Sequence, residues 1–237
     1  MESMTNDRVL IVAAHPDDEV LGCGGVAARH VAEGDAVAMF IVAEGATSRD
    51  KERDPVRRAS EIEALRQAAR SSAQALGVTD VRFAGLPDNR LDSIDLLDLV
   101  KIVESAVTDF DPSVVYTHHG SDLNIDHRLL HQAVCTACRP LPDSNVRAIY
   151  AFETASSTEF GTRGTGPAFE PVHFVDITDY WPAKELALHE YESEMRAYPH
   201  ARSIEAVKAL GKWRGASAGL QVAEAFEVIW EVVVKRR

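Results

Sequence analysis

The sequence predicts one α/β domain, spanning residues 1–237, in which helices cover both faces of a mostly parallel sheet. Its length is enough for one substantial core and does not require a second domain. Short apolar runs rich in β-branched residues alternate with longer segments of helical period, as in doubly wound sheets. The first and fourth runs each end in a cluster of ionisable side chains, where open α/β sheets bind ligands.

Apolar runs without alternation predict strands that are buried on both faces. They lie at residues 9–14, 36–42, 81–83, 114–117, 146–152 and 172–177, and residues 228–234 can close a sheet edge. Helical spacing predicts helices at residues 25–32, 55–77, 92–107, 178–195 and 204–218, and one that contains His127 and His131. Gly34 and Pro112 supply helix stops, and Pro55 suits the first turn of a helix.

The composition is that of an ordinary globular protein, with 46% hydrophobic and 26% charged residues. The formal net charge of −12 disfavours a phosphate backbone, so nucleic acid is not an expected partner. Residues 1–8 lack the apolar region of a signal peptide, and no apolar run approaches the ~20 residues of a membrane span. Three cysteines, an odd number, predict no disulfide framework, so we expect a cytoplasmic protein.

The first ionisable cluster, His15, Asp17, Asp18 and Glu19, directly follows the first predicted strand. An imidazole nitrogen and a carboxylate oxygen form a mixed pair of ligands that suits Zn²⁺. The simpler interpretation is a turn with an Asp helix cap and a surface histidine. The glycines at 22, 24 and 25 also suggest a nucleotide loop, but they lack the G-x-G-x-x-G spacing, and adjacent carboxylates would repel a pyrophosphate.

The second cluster occupies residues 118–131 and contains four histidines. His127 and His131 are four residues apart and share a face if the segment is helical. A metal site that needs a third protein ligand therefore has four candidates here, although a single histidine is more often hydrogen-bonded than metal-bound. Cys135 and Cys138 form an isolated C-x-x-C without the second pair of a zinc ribbon, so we expect them to pack in the core.

Residues 14–19, Ala-His-Pro-Asp-Asp-Glu, with the glycines at 22, 24 and 25, resemble the opening motif of the PIG-L (LmbE-like) zinc-dependent N-deacetylases. That family has a Rossmann-like fold and removes acetyl groups from N-acetylated amino sugars. The resemblance implies that His15 and Asp18 bind Zn²⁺ and that Asp17 is the general base. Residues 126–127 match the end of the second family motif, so His127 is the implied third ligand.

The second motif departs from the family pattern at Asn124, where the family commonly has a histidine that supports the oxyanion. An Asn amide donates a hydrogen bond but cannot carry a positive charge. We expect His119 to take over this role, with Asn124 itself and His131 as alternatives. Arg66 and Asp88 lie in segments that resemble the family's substrate-binding Arg and Asp. A solvated helix face and a turn are the simpler interpretations of these two residues.

The expected function is hydrolysis of the acetamide of an N-acetylglucosamine-type small molecule or glycoconjugate by water activated at Zn²⁺. Asp17 would accept the proton of the water and return it to the leaving amine. An amidase that cleaves a larger acyl or thiol conjugate with the same metal site is the alternative. A nucleotide-binding module is disfavoured by the carboxylates of the first turn. The irregular residues 153–170 are expected to form a flap on the substrate side, and a homo-oligomer is compatible with the sequence.

Overall fold

The computed structural model describes residues 6–161, 164 and 166–233, which form one seven-stranded sheet with α-helices packed on it. The strands are β1 (Arg8–Ala13), β2 (Ala36–Ala43), β3 (Asp80–Leu86), β4 (Val114–His118), β5 (Ala148–Phe152), β6 (His173–Asp176) and β7 (Ala223–Glu231). The α-helices are α1 (Asp18–Glu33), α2 (Ala59–Ala75), α3 (Leu96–Phe110), α4 (Ile125–Ala137), α5 (Trp181–His189) and α6 (Ile204–Ser217). Over the described ranges, none of these helices has the length and hydropathy needed to cross a membrane.

The strand order, β3-β2-β1-β4-β5-β7-β6, determines where a ligand can bind. Strands β1 to β5 are parallel, whereas β7 is antiparallel to β5 and β6. The chain moves outward from β1 to β2 and β3, and then returns to the other side of β1 to form β4. Open α/β sheets bind ligands at such a reversal. Both ionisable clusters follow the strands that flank it, so the topology brings them to one edge of the sheet.

Hydrophobic cores lie on both faces of the sheet, which confirms the predicted fold class. Helices α1, α2 and α5 cover one face, where Val9 of β1 is buried, and α3 and α4 cover the other, where Leu10 is buried. A one-residue slip of β1 would exchange the residues that enter the two cores, so packing fixes its register. Cys138 is buried in the second core, as expected, whereas Cys135 is half-buried, with its Sγ 3.5 Å from His131 Nε2.

Helix α1 begins at Asp18, well before residue 25, where the sequence had placed it. The glycines of the motif therefore lie inside the helix, where close packing explains their presence. A Cβ atom at Gly22 would lie 2.3 Å from Phe152 Cδ2, and one at Gly25 would lie 2.6 Å from Ile177 Cδ1. These residues let α1 approach the sheet, and the early start places the acidic residues of the first cluster at the helix N-terminus.

The last strand also differs from the prediction. Strand β7 does not close the sheet but lies between β5 and β6, so β6 forms that edge. The first four residues of β7 are buried, which suits an internal strand. Residue 234, the end of the predicted strand, lies outside the described residues.

Three helices begin later or end earlier than the sequence predicted. Helix α2 begins at Ala59 rather than at Pro55, and α5 ends at His189 rather than near residue 195. Helix α3 begins at Leu96, after a separate 3₁₀ turn at Leu91–Ser93. Helix ends are the part of an assignment that local sequence specifies least.

A buried ion pair is inserted into the main-chain hydrogen bonding of α1. Lys184 of α5 donates to Glu224 Oε1 (2.6 Å) and to the carbonyl of Leu21 (2.8 Å). The Glu224 carboxylate accepts from the N–H groups of Gly25 (2.9 Å) and Val26 (2.7 Å). Because Leu21 and Gly25 are the i and i+4 partners of a regular helix, this pair joins α1, α5 and β7 at the middle of α1.

We expect Lys184→Met to lower the free energy of unfolding by about 3 kcal/mol, because it leaves the buried Glu224 carboxylate without its cation. Urea unfolding of the purified variants measures this. Lys208→Met is the matched control, since Lys208 and Glu185 form a partly exposed pair 3.5 Å apart, and should change the free energy by less than ~1 kcal/mol. Equal effects of the two substitutions would contradict this account.

Candidate active site

Three potential metal ligands from the two clusters converge at the carboxyl ends of β1 and β4. His15 follows β1, Asp18 is the first residue of α1, and His127 lies in the first turn of α4. Asp18 Oδ2 lies 3.1 Å from His15 Nδ1 and 3.1 Å from His127 Nε2. The two imidazole nitrogens are 3.3 Å apart. The structure therefore brings together the three side chains that the resemblance implied as ligands.

The geometry of this trio suits a tetrahedral metal ion. Ligand atoms about 2.0–2.1 Å from Zn²⁺ at tetrahedral angles lie roughly 3.3 Å from one another, which matches the observed separations. Asp18 is completely buried, and its Oδ1 has no hydrogen-bond partner among the described residues. A buried carboxylate oxygen without a partner is costly. The residues present thus fit a bound cation.

Carboxylates lie behind both histidines, on the side away from the trio. Asp126 Oδ2 is 3.1 Å from His15 Nε2, and Asp122 Oδ1 is 3.1 Å from His127 Nδ1. Such carboxylates orient a ligating imidazole and increase its basicity. Burial opposes protonation of His15 and His127, but these carboxylates and Asp18 raise the pKa of both imidazoles. The pocket therefore favours positive charge.

Asp122 is itself held in place by the chain after β5. Its carboxylate accepts hydrogen bonds from the hydroxyls of Ser157 and Thr158, the second at 2.6 Å, and from the N–H of Asn124 at 2.8 Å. Although burial acts to raise its pKa, the contacts with His127 and the two hydroxyls hold the pKa of Asp122 well below the usual carboxyl range. Asp122 is thus an anion behind His127.

His118 lies beside the trio but is engaged by the main chain of β1. Its Nε2 accepts a hydrogen bond from the N–H of Ala14 (2.9 Å), and its ring stacks on His127 with centroids 3.8 Å apart. Burial, together with the neighbouring His127, holds the pKa of His118 well below its ordinary value. His118 is therefore a neutral imidazole that packs against the His127 ring and helps to position it.

Asp17, the predicted general base, is buried beside Asp18 in an unusual backbone conformation. Its φ of 107° lies in the left-handed region, and its Oδ2 accepts from Arg202 Nη1 at 2.7 Å. Burial raises the pKa of Asp17 well above the usual carboxyl range, although Arg202 opposes this. Burial likewise raises the pKa of Glu19 to about 7, although the hydrogen bond from the Tyr191 hydroxyl acts to lower it.

The three candidate oxyanion donors are all engaged elsewhere in the protein. The ring nitrogens of His119 lie 2.7 Å from Glu227 Oε2 and 3.2 Å from the carbonyl of Pro167. Asn124 is the N-cap of α4: its Oδ1 accepts from the N–H of Asp126, and its Nδ2 donates to Asn89 Oδ1 at 2.9 Å. His131 Nδ1 lies 2.8 Å from the carbonyl of His118. None of the side-chain hydrogen bonds found for these three in the described residues is with His15, Asp18 or His127.

The two predicted substrate-binding residues lie at different distances from the trio. Asp88 is buried, and its Oδ1 is 3.4 Å from His15 Nε2. Its Oδ2 accepts from the N–H of Ser48 at 3.1 Å. Arg66, on α2, lies with its guanidinium carbon 5.7 Å from the ring centre of Phe83, and a Cβ atom at Gly85, near the end of β3, would lie 3.3 Å from its Nη2. Asp88 thus belongs to the trio's surroundings, whereas Arg66 lies farther out on the same edge of the sheet.

Sequence reasoning missed three side chains of the site. Asp122 and Asp126 lie within the second cluster, and the signal that could have found them is a carboxylate close in sequence to a candidate histidine ligand. Arg202 gave no such signal, because it reaches Asp17 from 185 residues away in the sequence.

Comparison with protein families and curated proteins gives consistent matches. The PIG-L family model, described as GlcNAc-PI de-N-acetylase, matches residues 10–138, more than half of the chain. The uncharacterized deacetylase YaiS of Escherichia coli (strain K12) is 28% identical over 199 residues, covering 81% of this chain and 95% of the relative. A probable N-acetyl-alpha-D-glucosaminyl L-malate deacetylase 2 of Bacillus anthracis is 25% identical over 195 residues, covering 81% and 83%.

Solved structures share the fold at low identity. The conserved protein TT1542 from Thermus thermophilus has a TM-score of 0.75 at 23% identity, covering 97% of each chain. N,N'-diacetylchitobiose deacetylase from Pyrococcus horikoshii has a TM-score of 0.73 at 18% identity, covering 93% of this chain and 83% of that one. GalB, the 4-carboxy-2-hydroxymuconate hydratase from Pseudomonas putida KT2440, also scores 0.73, at 23% identity and covering 97% and 98%. One fold thus carries more than one chemistry.

We expect Asp122→Asn to weaken the binding of a divalent metal by ~10–100-fold, because His127 loses the carboxylate that orients its ring. Competition with a chromophoric chelator measures the metal affinity directly. Asp92→Asn, an exposed acidic residue on the 3₁₀ turn before α3, controls for the loss of one negative charge. Equal metal affinity of the two variants would show that Asp122 does not support the site.

Proposed function

Because the chain belongs to the PIG-L family, described as GlcNAc-PI de-N-acetylase, we propose that it is a zinc-dependent hydrolase that removes the N-acetyl group from an N-acetylglucosamine-type conjugate. One observation carries the proposal, the convergence of His15 Nδ1, Asp18 Oδ2 and His127 Nε2 beside the buried carboxylate of Asp17. When bound, Zn²⁺ supplies Lewis acidity toward a carbonyl and makes water a stronger acid.

Asp17 is the proposed proton carrier. It is adjacent in sequence to the ligand Asp18, and its carboxylate is fixed by Arg202 rather than by the metal ligands. A carboxylate in this position can take a proton from the attacking water and deliver it to the nitrogen of the leaving amine. With Oδ2 bound to Arg202, Oδ1 is the oxygen that remains for this exchange.

His119 is the proposed donor to the oxyanion. Although partial burial opposes protonation, the hydrogen bond with Glu227 raises the pKa of His119. Its second N–H makes the longer contact, 3.2 Å to the Pro167 carbonyl, and would have to turn from that carbonyl to the substrate. Asn124 and His131 are the alternatives.

The substrate assignments follow from position and charge. Asp88, a buried acceptor beside His15, is proposed to bind hydroxyls of the acetylated sugar. Arg66, at the outer end of β3, is proposed to bind a hydroxyl or a phosphate of the neighbouring unit. The cytoplasmic location and a homo-oligomeric state stay predictions from the sequence.

Two other activities are alternatives. The first is an amidase that uses the same metal ligands on a larger acyl or thiol conjugate. The second is a hydratase, because GalB shares the fold. An acetamide hydrolase must release acetate. An amidase of larger acyl groups releases a longer carboxylic acid, and a hydratase releases no acid, so analysis of the products separates the three.

We expect the purified protein to release acetate from at least one free, nucleotide-linked or lipid-linked N-acetylhexosamine. Removal of metal with a chelator should abolish the release, and Zn²⁺ should restore it, because the ligand trio fits this ion. N-acylated analogues with longer chains, assayed under the same conditions, provide the comparison. No acetate from the whole panel, or full activity after exhaustive metal removal, would contradict the proposed function.

A further inference from the structure

We infer that Arg202 is a positioning residue that holds the Asp17 carboxylate in its reactive orientation and ties it to the segment after β5. The inference rests on the proposed role of Asp17 as proton carrier. Arg202 lies between α5 and α6, in a part of the chain to which neither the sequence motifs nor the family match, residues 10–138, extends.

The side chain of Asp17 is diverted from the role that its position would give it. Asp17 is the N-cap of α1, where an Asp ordinarily accepts a hydrogen bond from an N–H of the first helical turn. Its carboxylate makes no such capping bond, and its Oδ2 accepts instead from Arg202 Nη1 at 2.7 Å. Arg202 is therefore what keeps the carboxylate turned away from the helix.

The backbone at Asp17 needs external support as well. A non-glycine residue with φ of 107° is uncommon, and such conformations persist where the surrounding contacts fix them. The N–H of Asp17 donates to Glu19 Oε2 at 3.1 Å, and the carboxylate is held by Arg202. Of the residues in the described ranges, Arg202 alone forms an ion pair with Asp17.

Arg202 reaches two segments at once through two different nitrogens of its guanidinium group. Its Nε donates to Ser156 Oγ at 2.7 Å, while Nη1 donates to Asp17. Ser156 also has a positive φ, 68°, and lies in the segment that follows β5. The planar fork of an arginine gives two directed bonds, whereas a lysine offers a single flexible ammonium group.

The position of Arg202 is itself fixed by the start of the next helix. Ser203 is buried and is the N-cap of α6, where its Oγ accepts from the N–H of Ala206 at 3.0 Å. Arg202 therefore precedes a rigid helix start by one residue, so its guanidinium is presented to Asp17 from a well-anchored main chain.

A double-mutant cycle with Asp17→Asn tests whether Arg202 acts through Asp17. In the metal-loaded full-length protein, we expect Arg202→Gln to lower kcat for acetate release by ~10²-fold, the loss typical of a reactive group misplaced by about 1 Å. KM and metal content should stay near the parental values. In the Asp17→Asn background, the same substitution should cause no further loss, because the residue that it positions is already inactive.

Arg196→Gln is the matched control, since Arg196 is exposed and lies on the same connection, and the hydrogen bonds found for its side chain among the described residues are to main-chain carbonyls. It should keep the parental kcat. If Arg202→Gln does not fold, Arg202→Lys, which keeps the charge but not the fork, replaces it and should show a reduced kcat with KM unchanged. A parental kcat in the Arg202 variant, or an equal loss in the presence and absence of Asp17→Asn, overturns the inference. A wild-type protein that releases no acetate instead overturns the proposed function and this inference together.

Discussion

The requirement that buried polar atoms have partners governs the organisation of this molecule. Asp18 is completely buried, and both histidines beside it have little exposure, so each ring nitrogen and carboxylate oxygen needs a partner. Asp126 hydrogen-bonds to the outer nitrogen of His15, and the Asp122 carboxylate lies 3.1 Å from the outer nitrogen of His127. The hydroxyls of Ser157 and Thr158 in turn donate hydrogen bonds to the Asp122 carboxylate. The partners extend outward in layers from the trio, at whose centre Asp18 Oδ2 lies 3.1 Å from each histidine and Asp18 Oδ1 has no hydrogen-bond partner among the described residues.

Two helix N-termini support this arrangement electrostatically. Asp18 and Glu19 lie in the first turn of α1, and Asp126 lies in the first turn of α4. The positive end of a helix dipole favours negative charge at these positions. Helix α1 is placed by close packing at Gly22 and Gly25 and by the Lys184–Glu224 pair inserted into its main-chain bonding. The position of Asp18, a proposed metal ligand, therefore depends on contacts far along the chain.

The sequence was informative wherever the signal was local. Apolar runs predicted the fold class, and two short motifs predicted the side chains that the structure brings together as a trio. It was uninformative where the partner is distant: Arg202 and Lys184 each contact a residue more than a hundred positions away. Asn124 shows a related difficulty, since the same amide suits an oxyanion donor and a helix cap, and only its contacts reveal the cap. The glycines of α1 suggested a loop because sequence does not show the side chains packed against them.

Two residues of the site carry different tasks in the proposed mechanism: His127 binds the metal, whereas Asp17 moves the proton. Parallel measurement of metal content and acetate release in His127→Ala and Asp17→Asn tests this division most directly. We predict that His127→Ala loses metal and activity together, and that Asp17→Asn keeps its metal while turnover falls by ~10²-fold or more, as expected for loss of a general acid/base. If the His127→Ala variant kept its metal and the Asp17→Asn variant lost it, the account would be contradicted.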